Sequence, residues 1–207
     1  MSTSKLSPVF IEPEHIPLAG GGLHYYPQYI PEPDPVYEQL RENISWQQPI
    51  LDIYGRRHLT PRLVAFVGDS GLSYRYSGHR HYADVWPPEV LALRERIADD
   101  TGYDFNCALL NYYRNGDDSM GYHSDDEASL GSDPCVASLS LGCGRDFLLK
   151  PKGLKTKSRK IHLASGSLLL MLPPTQRHWQ HALPVRKGLA QGRINITFRK
   201  VVLSLAD

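Results

Sequence analysis

His123-Ser124-Asp125 is a short pattern with clear chemical potential. In an extended backbone the side chains of residues i and i+2 project to the same side, so an imidazole and a carboxylate converge on one point. Two donors are not yet a metal site, and in a chain with nine histidines an HxD triplet also arises as surface decoration. A third donor is available far downstream, in His178-Trp179-Gln180-His181, where either histidine could serve. Shortly after it, Arg193-Ile-Asn-Ile-Thr-Phe-Arg199 alternates strictly. Arg193, Asn195, Thr197 and Arg199 therefore share one side, and Ile194, Ile196 and Phe198 the other. A face with two guanidiniums and two neutral hydrogen-bonding groups either meets water at a sheet edge or, if enclosed, needs an anion. Leu109-Leu-Asn-Tyr-Tyr113 likewise places Asn111 and Tyr113 on one side.

Two histidines and one carboxylate leave positions open on a metal, the facial arrangement of non-haem Fe(II) oxygenases. Structural zinc is the weaker alternative, because it is normally closed by four protein ligands and no fourth stands beside these three. Open positions suit O2 and a chelating co-substrate. A dicarboxylic oxo acid would chelate through its oxo-acid end and offer its distal carboxylate to the fork of an arginine.

Such a site needs a rigid frame, and the sequence indicates one. Asp34-Pro35-Val36-Tyr37-Glu38 combines a capping acid, a first-turn proline and a first-turn glutamate. Val36, Leu40 and Ile44 then recur along one face, which predicts a short helix. Pro87-Pro88-Glu89 opens a second, running to Asp100 before Gly102. From Phe105 onward, short alternating runs are separated by Gly, Asp and Pro. Two helices followed by many strands predict an α+β fold with an antiparallel sandwich or barrel as its body. Residues 1–22, ending in Ala19-Gly-Gly-Gly22, read as an irregular arm before one domain over 23–207.

The 207 residues, 41% hydrophobic and 22% charged, describe a globular chain. The apolar run at 168–172 is stopped by Pro173-Pro174 and is too short to span a bilayer, and no signal peptide is visible. An intracellular protein is expected, in cytoplasm or nucleus, acting as a monomer. Three cysteines without a CxxC spacing exclude a disulfide framework. The net charge of +1 hides a polarity: residues 141–200 hold 13 Lys and Arg against one acid, Asp146. Six of those cations fall between Lys150 and Lys160. Such a segment is either a solvated loop or a tracker of phosphates.

HxD, the distant histidine and the final RxNxTFR strand together resemble the AlkB family of Fe(II)/2-oxoglutarate-dependent dioxygenases. So do Asn111-Tyr-Tyr113, Gly121-Tyr-His123-Ser-Asp125-Asp126-Glu127, Ala137-Ser-Leu-Ser-Leu141, Arg145-Asp-Phe147, Gly166-Ser-Leu-Leu169 and His178-Trp-Gln-His181-Ala-Leu-Pro-Val-Arg186-Lys187, in order, over about residues 25–202. The resemblance implies a double-stranded β-helix, a jelly roll with supporting helices on one side. It implies iron held by His123, Asp125 and His181, and 2-oxoglutarate held by Asn111, Tyr113, Arg193, Thr197 and Arg199, with Asn195 a weaker candidate. The implied reaction, with O2 as oxidant, is demethylation of bases such as 1-methyladenine and 3-methylcytosine in DNA. 2-Oxoglutarate is decarboxylated to succinate and formaldehyde is released. RNA or another substrate is the alternative, and a non-catalytic nucleic-acid-binding module a remoter one. Leu72-Ser-Tyr74-Arg-Tyr76-Ser-Gly78 resembles a substrate lid, within about residues 50–80, in which Tyr74 and Tyr76 would line the base pocket. Asp126 would contact the flipped base, and Tyr54 in Ile53-Tyr54-Gly55 would fill the gap it leaves. Arg186, Lys187 and the 150–160 loop would meet phosphates.

Overall fold

A computed structural model describes residues 12–53, 56–76 and 79–202, with 51–53, 56, 74–76 and 79–81 described by backbone alone. In chain order the elements are β1 (Glu14–Leu18), β2 (Gly21–Tyr26), α1 (Pro33–Asn43), β3 (Ile50–Ile53), β4 (Arg56–Leu59), β5 (Leu63–Gly68), β6 (Ser73–Tyr76), β7 (His79–Tyr82) and α2 (Pro88–Thr101). They continue with β8 (Cys107–Tyr113), β9 (Met120–His123), β10 (Val136–Gly142), β11 (Arg145–Pro151), β12 (Arg159–Leu163), β13 (Leu168–Leu172), the single turn α3 (Thr175–His178), β14 (Trp179–Leu183) and β15 (Arg193–Arg199). Both expected helices are present. α1 begins two residues earlier than the capping pattern suggests, so Asp34 lies inside its first turn, where an acid favours the positive end of the helix. α2 ends at Gly102, whose φ of 74° closes the helix in the left-handed conformation with its N–H on the Ala98 carbonyl.

Seven strands form a large antiparallel sheet in the order β1-β2-β13-β10-β15-β8-β5, and four form a smaller one, β12-β11-β14-β9. This is an α+β jelly roll with helices on one side. Strand alternation determines what each face of the large sheet does. Ala137, Leu139 and Leu141 of β10, Leu168 and Leu170 of β13 and Ile194, Ile196 and Phe198 of β15 point outward. There they pack with Leu40 of α1 and Val90, Leu93 and Ile97 of α2. The inner face is divided. Val136, Leu169 and Met171 join Phe147, Leu149, Leu163 and Trp179 in an apolar core between the sheets, while β15 turns Arg193, Asn195, Thr197 and Arg199 inward beside Asn111 and Tyr113 of β8. The alternating arginine strand is thus neither an edge nor solvated: β15 lies between β10 and β8, and all seven of its residues are buried.

One expectation needs correction. Residues 14–22 are not irregular: β1 and β2 form a hairpin whose inner strand pairs with β13. The glycines read as flexible serve close approach instead. The Gly22 N–H donates to Thr175 Oγ1 at 3.0 Å, the Trp179 indole donates to the Ala19 carbonyl at 2.9 Å, and a Cβ on Gly21 would lie 2.5 Å from Thr175 Oγ1. The segment around 50–80, expected to contain the lid, is not continuous in the fold. It comprises two hairpins, β3–β4 and β6–β7, separated by β5, which belongs to the large sheet.

The hairpin braces the turn that precedes β14. Gly21→Ala, which forces a methyl onto Thr175, is expected to lower unfolding stability by about 1–3 kcal/mol in urea titration. Gly121→Ala, which meets nothing within 4 Å, should leave the midpoint unchanged.

Candidate functional site

His123 ends β9 and faces His181 of β14 directly across the ladder, while Asp125 follows two residues later. One donor atom from each of the three lies within 4.8 Å of the others, the one such group among the described residues. The two imidazole rings meet edge to face at 4.3 Å, and His181 Nε2 is 3.8 Å from Asp125 Oδ2. His123 Nδ1 lies 2.9 Å from the Gly121 carbonyl. Donation there fixes the tautomer with a lone pair on Nε2, as a metal requires. His178 does not join the group: it closes α3 and packs over Gly20.

Asp125 is buried, and its two carboxylate oxygens fare differently. Oδ1 accepts from Arg199 Nη2 at 2.6 Å, whereas buried Oδ2 has no hydrogen-bond partner. Its backbone N–H donates to Gln176 Oε1 at 3.0 Å. A carboxylate oxygen buried without a donor is costly, and a divalent cation between the two histidines would satisfy it, so the residues present fit a metal. Protonation is also preset. Burial alone would raise the Asp125 pKa, but the Arg199 guanidinium, then His181 and His123, outweigh it and hold it at about 2. Burial, then His123, lowers His181 to about 3 despite the attraction of Asp125. At neutral pH these two are an anion and a neutral imidazole, the forms that bind metal. Phe147 stacks on the His181 ring at 5.2 Å.

Beside the triad lies a small pocket, about 50 Å³, in the polar half of the inner face. The residues expected to hold iron and the oxo acid all line it. The ladder explains why: Asn195 pairs with Asn111, and Arg193 with Tyr113, across β15 and β8. Arg193 is 2% exposed, donates to Ser140 Oγ at 2.9 Å and has its centre 5.4 Å from the Tyr113 ring. Its Nε has no partner, and among the described residues no carboxylate pairs with it. Burial pulls its pKa down to about 10, so the group stays charged at neutral pH. A buried cation of this kind is matched to an incoming carboxylate. Asn195 is less available, because its amide donates to Ser138 Oγ and the Leu139 carbonyl and accepts from Thr197 Oγ1.

Three contributors were not singled out from the sequence. Arg62, 3% exposed, donates through Nε to Asn111 Oδ1 at 2.7 Å and sets that amide's orientation. Gln176 holds the Asp125 backbone and donates to Met171 Sδ. Arg145, quoted only as part of a motif, donates to the carbonyls of Asn115, Asp118 and Pro184, fastening the loops around the mouth. No periodicity marks Arg62 or Gln176, since each is a single polar residue whose partner is distant in sequence.

Of the residues expected to touch substrate, Asp126, Arg186 and Lys187 lie apart from the pocket lining. Asp126 is exposed and paired with Lys152, 2.6 Å away. Arg186 is paired with Asp146 at 3.1 Å, and Lys187 is exposed. Tyr54 lies outside the described residues, as do the side chains of Tyr74 and Tyr76, whose backbone forms β6. The basic segment 152–158 is an exposed connection between β11 and β12, and Lys150 stands 3.9 Å over the ring of Tyr122, next to His123.

Three preset metal donors on a jelly roll, with a carboxylate-seeking arginine beside them, define the site of an iron- and oxo-acid-dependent oxygenase. The chain belongs to the 2OG-Fe(II) oxygenase superfamily, whose family model matches residues 22–199. It is a dioxygenase that uses Fe(II), 2-oxoglutarate and O2. It is 37% identical over 181 residues to DNA oxidative demethylase ALKBH2 of Mus musculus, covering 83% of this chain and 76% of the relative. Against the Homo sapiens protein of that name the identity is 37%, covering 84% and 70%. Against alpha-ketoglutarate-dependent dioxygenase alkB homolog 3 of Bos taurus it is 39%, covering 82% and 62%. The solved structure of OsALKBH1 shares the fold, with a TM-score of 0.58 at 17% identity, over 90% of this chain and 100% of that one. These matches place the chain among AlkB-type dioxygenases. Among the described residues no helix is long and apolar enough to cross a membrane.

Arg199→Met should leave the Asp125 charge unpaired and lower the stability of metal-free protein by about 3–5 kcal/mol. Added Mn(II) should recover part of that loss in urea titrations. Acid should act in two windows. Folded His181 resists a proton that the unfolded imidazole accepts, so metal-free stability falls as pH drops from 6.5 toward about 3. Asp125 contributes stability above its unfolded value of 3.8, lost as pH falls toward about 2. Each window has a slope of at most about 1.4 kcal/mol per pH unit. His181→Gln should flatten the upper one in denaturation series across pH.

Proposed function

We propose that the protein is an oxidative demethylase of N-alkylated bases in DNA, acting within the cell as a monomer. His123, Asp125 and His181 would hold iron, and Arg193, Thr197, Tyr113, Asn111 and Arg199 would hold 2-oxoglutarate. The observation that carries the chemistry is that buried Arg193, with no carboxylate of its own, shares one pocket with three preset metal donors. The substrate class is supported by the identity to proteins named DNA oxidative demethylases, and by 13 cations against one acid in residues 141–200.

When bound, the iron supplies the oxidation: 2-oxoglutarate and O2 give succinate and CO2, and the second oxygen atom goes to the N-methyl carbon. The hydroxymethyl base then loses formaldehyde without a protein nucleophile. The chain's part is positional. Arg193 takes the distal carboxylate of the oxo acid. Arg199 orients Asp125 and keeps it ionised. Leu109, Met120 and Leu183 line the pocket with apolar surface that limits water. A base stacked in a duplex cannot reach so enclosed a site, so the substrate must be flipped out or already single-stranded. The exposed lysines of the 150–160 segment supply phosphate contacts independent of sequence.

The test is reconstitution with Fe(II) and 2-oxoglutarate, followed by aeration with single-stranded DNA, duplex DNA or RNA carrying one 1-methyladenine. Loss of one methyl from DNA, matched by formaldehyde and succinate, is expected. Consumption of 2-oxoglutarate with all three substrates unchanged would retain the oxygenase and remove the substrate class, and turnover of RNA alone would redirect it. Arg193→Met should raise the KM for 2-oxoglutarate by about 30-fold or more, the consequence of losing one partner of a buried charged contact. Lys155→Ala with Lys157→Ala should weaken binding equally across DNA sequences and reduce the salt slope by about 0.9 for each phosphate that is no longer neutralised.

A further inference from the structure

Asp126 adjoins the ligand Asp125, and its carboxylate already carries a cation: Lys152 Nζ lies 2.6 Å from Oδ2. The side chains are 54% and 29% exposed, so the pair stands in water at the rim. Neither partner's backbone depends on it. The Lys152 N–H donates to the His178 carbonyl at 2.8 Å, and Ser124 Oγ donates to the Trp179 carbonyl at 2.8 Å. Both segments are thus fastened to the start of β14. An exposed ion pair contributes only about 0–1 kcal/mol, so this one exchanges readily.

The pair can present two opposite chemistries. With Lys152 in place, its ammonium offers N–H donors to a carbonyl oxygen. With Lys152 swung aside, Asp126 offers a carboxylate to a cation or an amino group. N-methylated bases fall into the same two kinds. 3-Methylcytosine carries a positive charge and an amino group beside its methyl, whereas 3-methylthymine is neutral and carries only carbonyl oxygens there.

Building on the reading of the site as a base demethylase, we propose that Lys152 is a specificity-determining residue: it competes with cationic bases for Asp126 and supplies the donor that neutral, carbonyl-edged bases require. Lys152 therefore broadens the range of bases accepted. Without it, Asp126 stands as an unopposed carboxylate, attractive to 3-methylcytosine and repulsive to the oxygens of 3-methylthymine.

The test compares single-stranded oligonucleotides carrying one or the other base, by kcat/KM in air and by anaerobic binding anisotropy. In Lys152→Met the preference for 3-methylcytosine over 3-methylthymine should rise about five-fold or more in both measurements, about 1 kcal/mol at a rim contact. Lys152→Arg, which keeps the charge and the donors, should hold the ratio within about two-fold, and Asp126→Asn should lower it. Equal weakening of both oligonucleotides by Lys152→Met would make Lys152 a plain phosphate contact and overturn the proposal. A lowered ratio would overturn it as well. Wild-type inactivity on both bases, with 2-oxoglutarate still consumed, would instead remove the demethylase reading and this proposal with it.

Discussion

The contact between Arg199 and Asp125 links every functional part of the molecule. A carboxylate cannot remain ionised in a protein interior without a counter-charge, and Asp125 must stay ionised to bind a metal. The guanidinium 2.6 Å from Oδ1 meets that need while leaving Oδ2 without a hydrogen-bond partner among the described residues. Because Arg199 ends β15, the pair also ties the ligand loop to the strand that carries Arg193, Asn195 and Thr197. The three clustered donors and the polar face of β15 are thereby held in one register. Gln176 adds a second tie through the Asp125 backbone, drawing α3 and β14 into the same arrangement.

Such a concentration of buried charge is tolerable because the rest of the sandwich is firmly apolar. The outer face of the large sheet packs against α1 and α2, and one half of its inner face packs against Phe147, Leu149 and Trp179. Burial of this kind stabilises by about 25 cal/mol per Å², enough to offset a polar half that would not close unaided. Rigidity follows from the same packing. Strand-borne groups keep their spacing better than loop-borne ones, and the pocket draws on β8, β9, β14 and β15 together with Asp125 just beyond β9.

Sequence reasoning grouped the residues that line the pocket because both sets obey strand geometry: HxD and RxNxTxR place their polar groups on one side at period two. It also found the two helices, through their prolines and terminal glycine. It failed where a residue's role depends on a distant partner. Gly20 and Gly21 looked flexible because nothing nearby announces Thr175 and His178, which they approach. Arg62 carries no local signal for Asn111, 49 positions away. The alternation of β15 could not distinguish a solvated edge from a central strand. That distinction resides in its neighbours β10 and β8, a property of topology rather than of the seven residues.

Charge around the mouth is managed differently from charge within. In the interior, Asp125 and Arg199 are paired at close range, and among the described residues no carboxylate pairs with Arg193. Nearer the surface, several acids are already met by flexible cations: Asp126 by Lys152, Asp146 by Lys160 and Arg186, and Asp133 by Arg177. Exposed pairs of this type contribute little to stability, so that is not a sufficient reason for them. Standing in water, they are weakened by salt, whereas the buried contacts beneath them are screened far less.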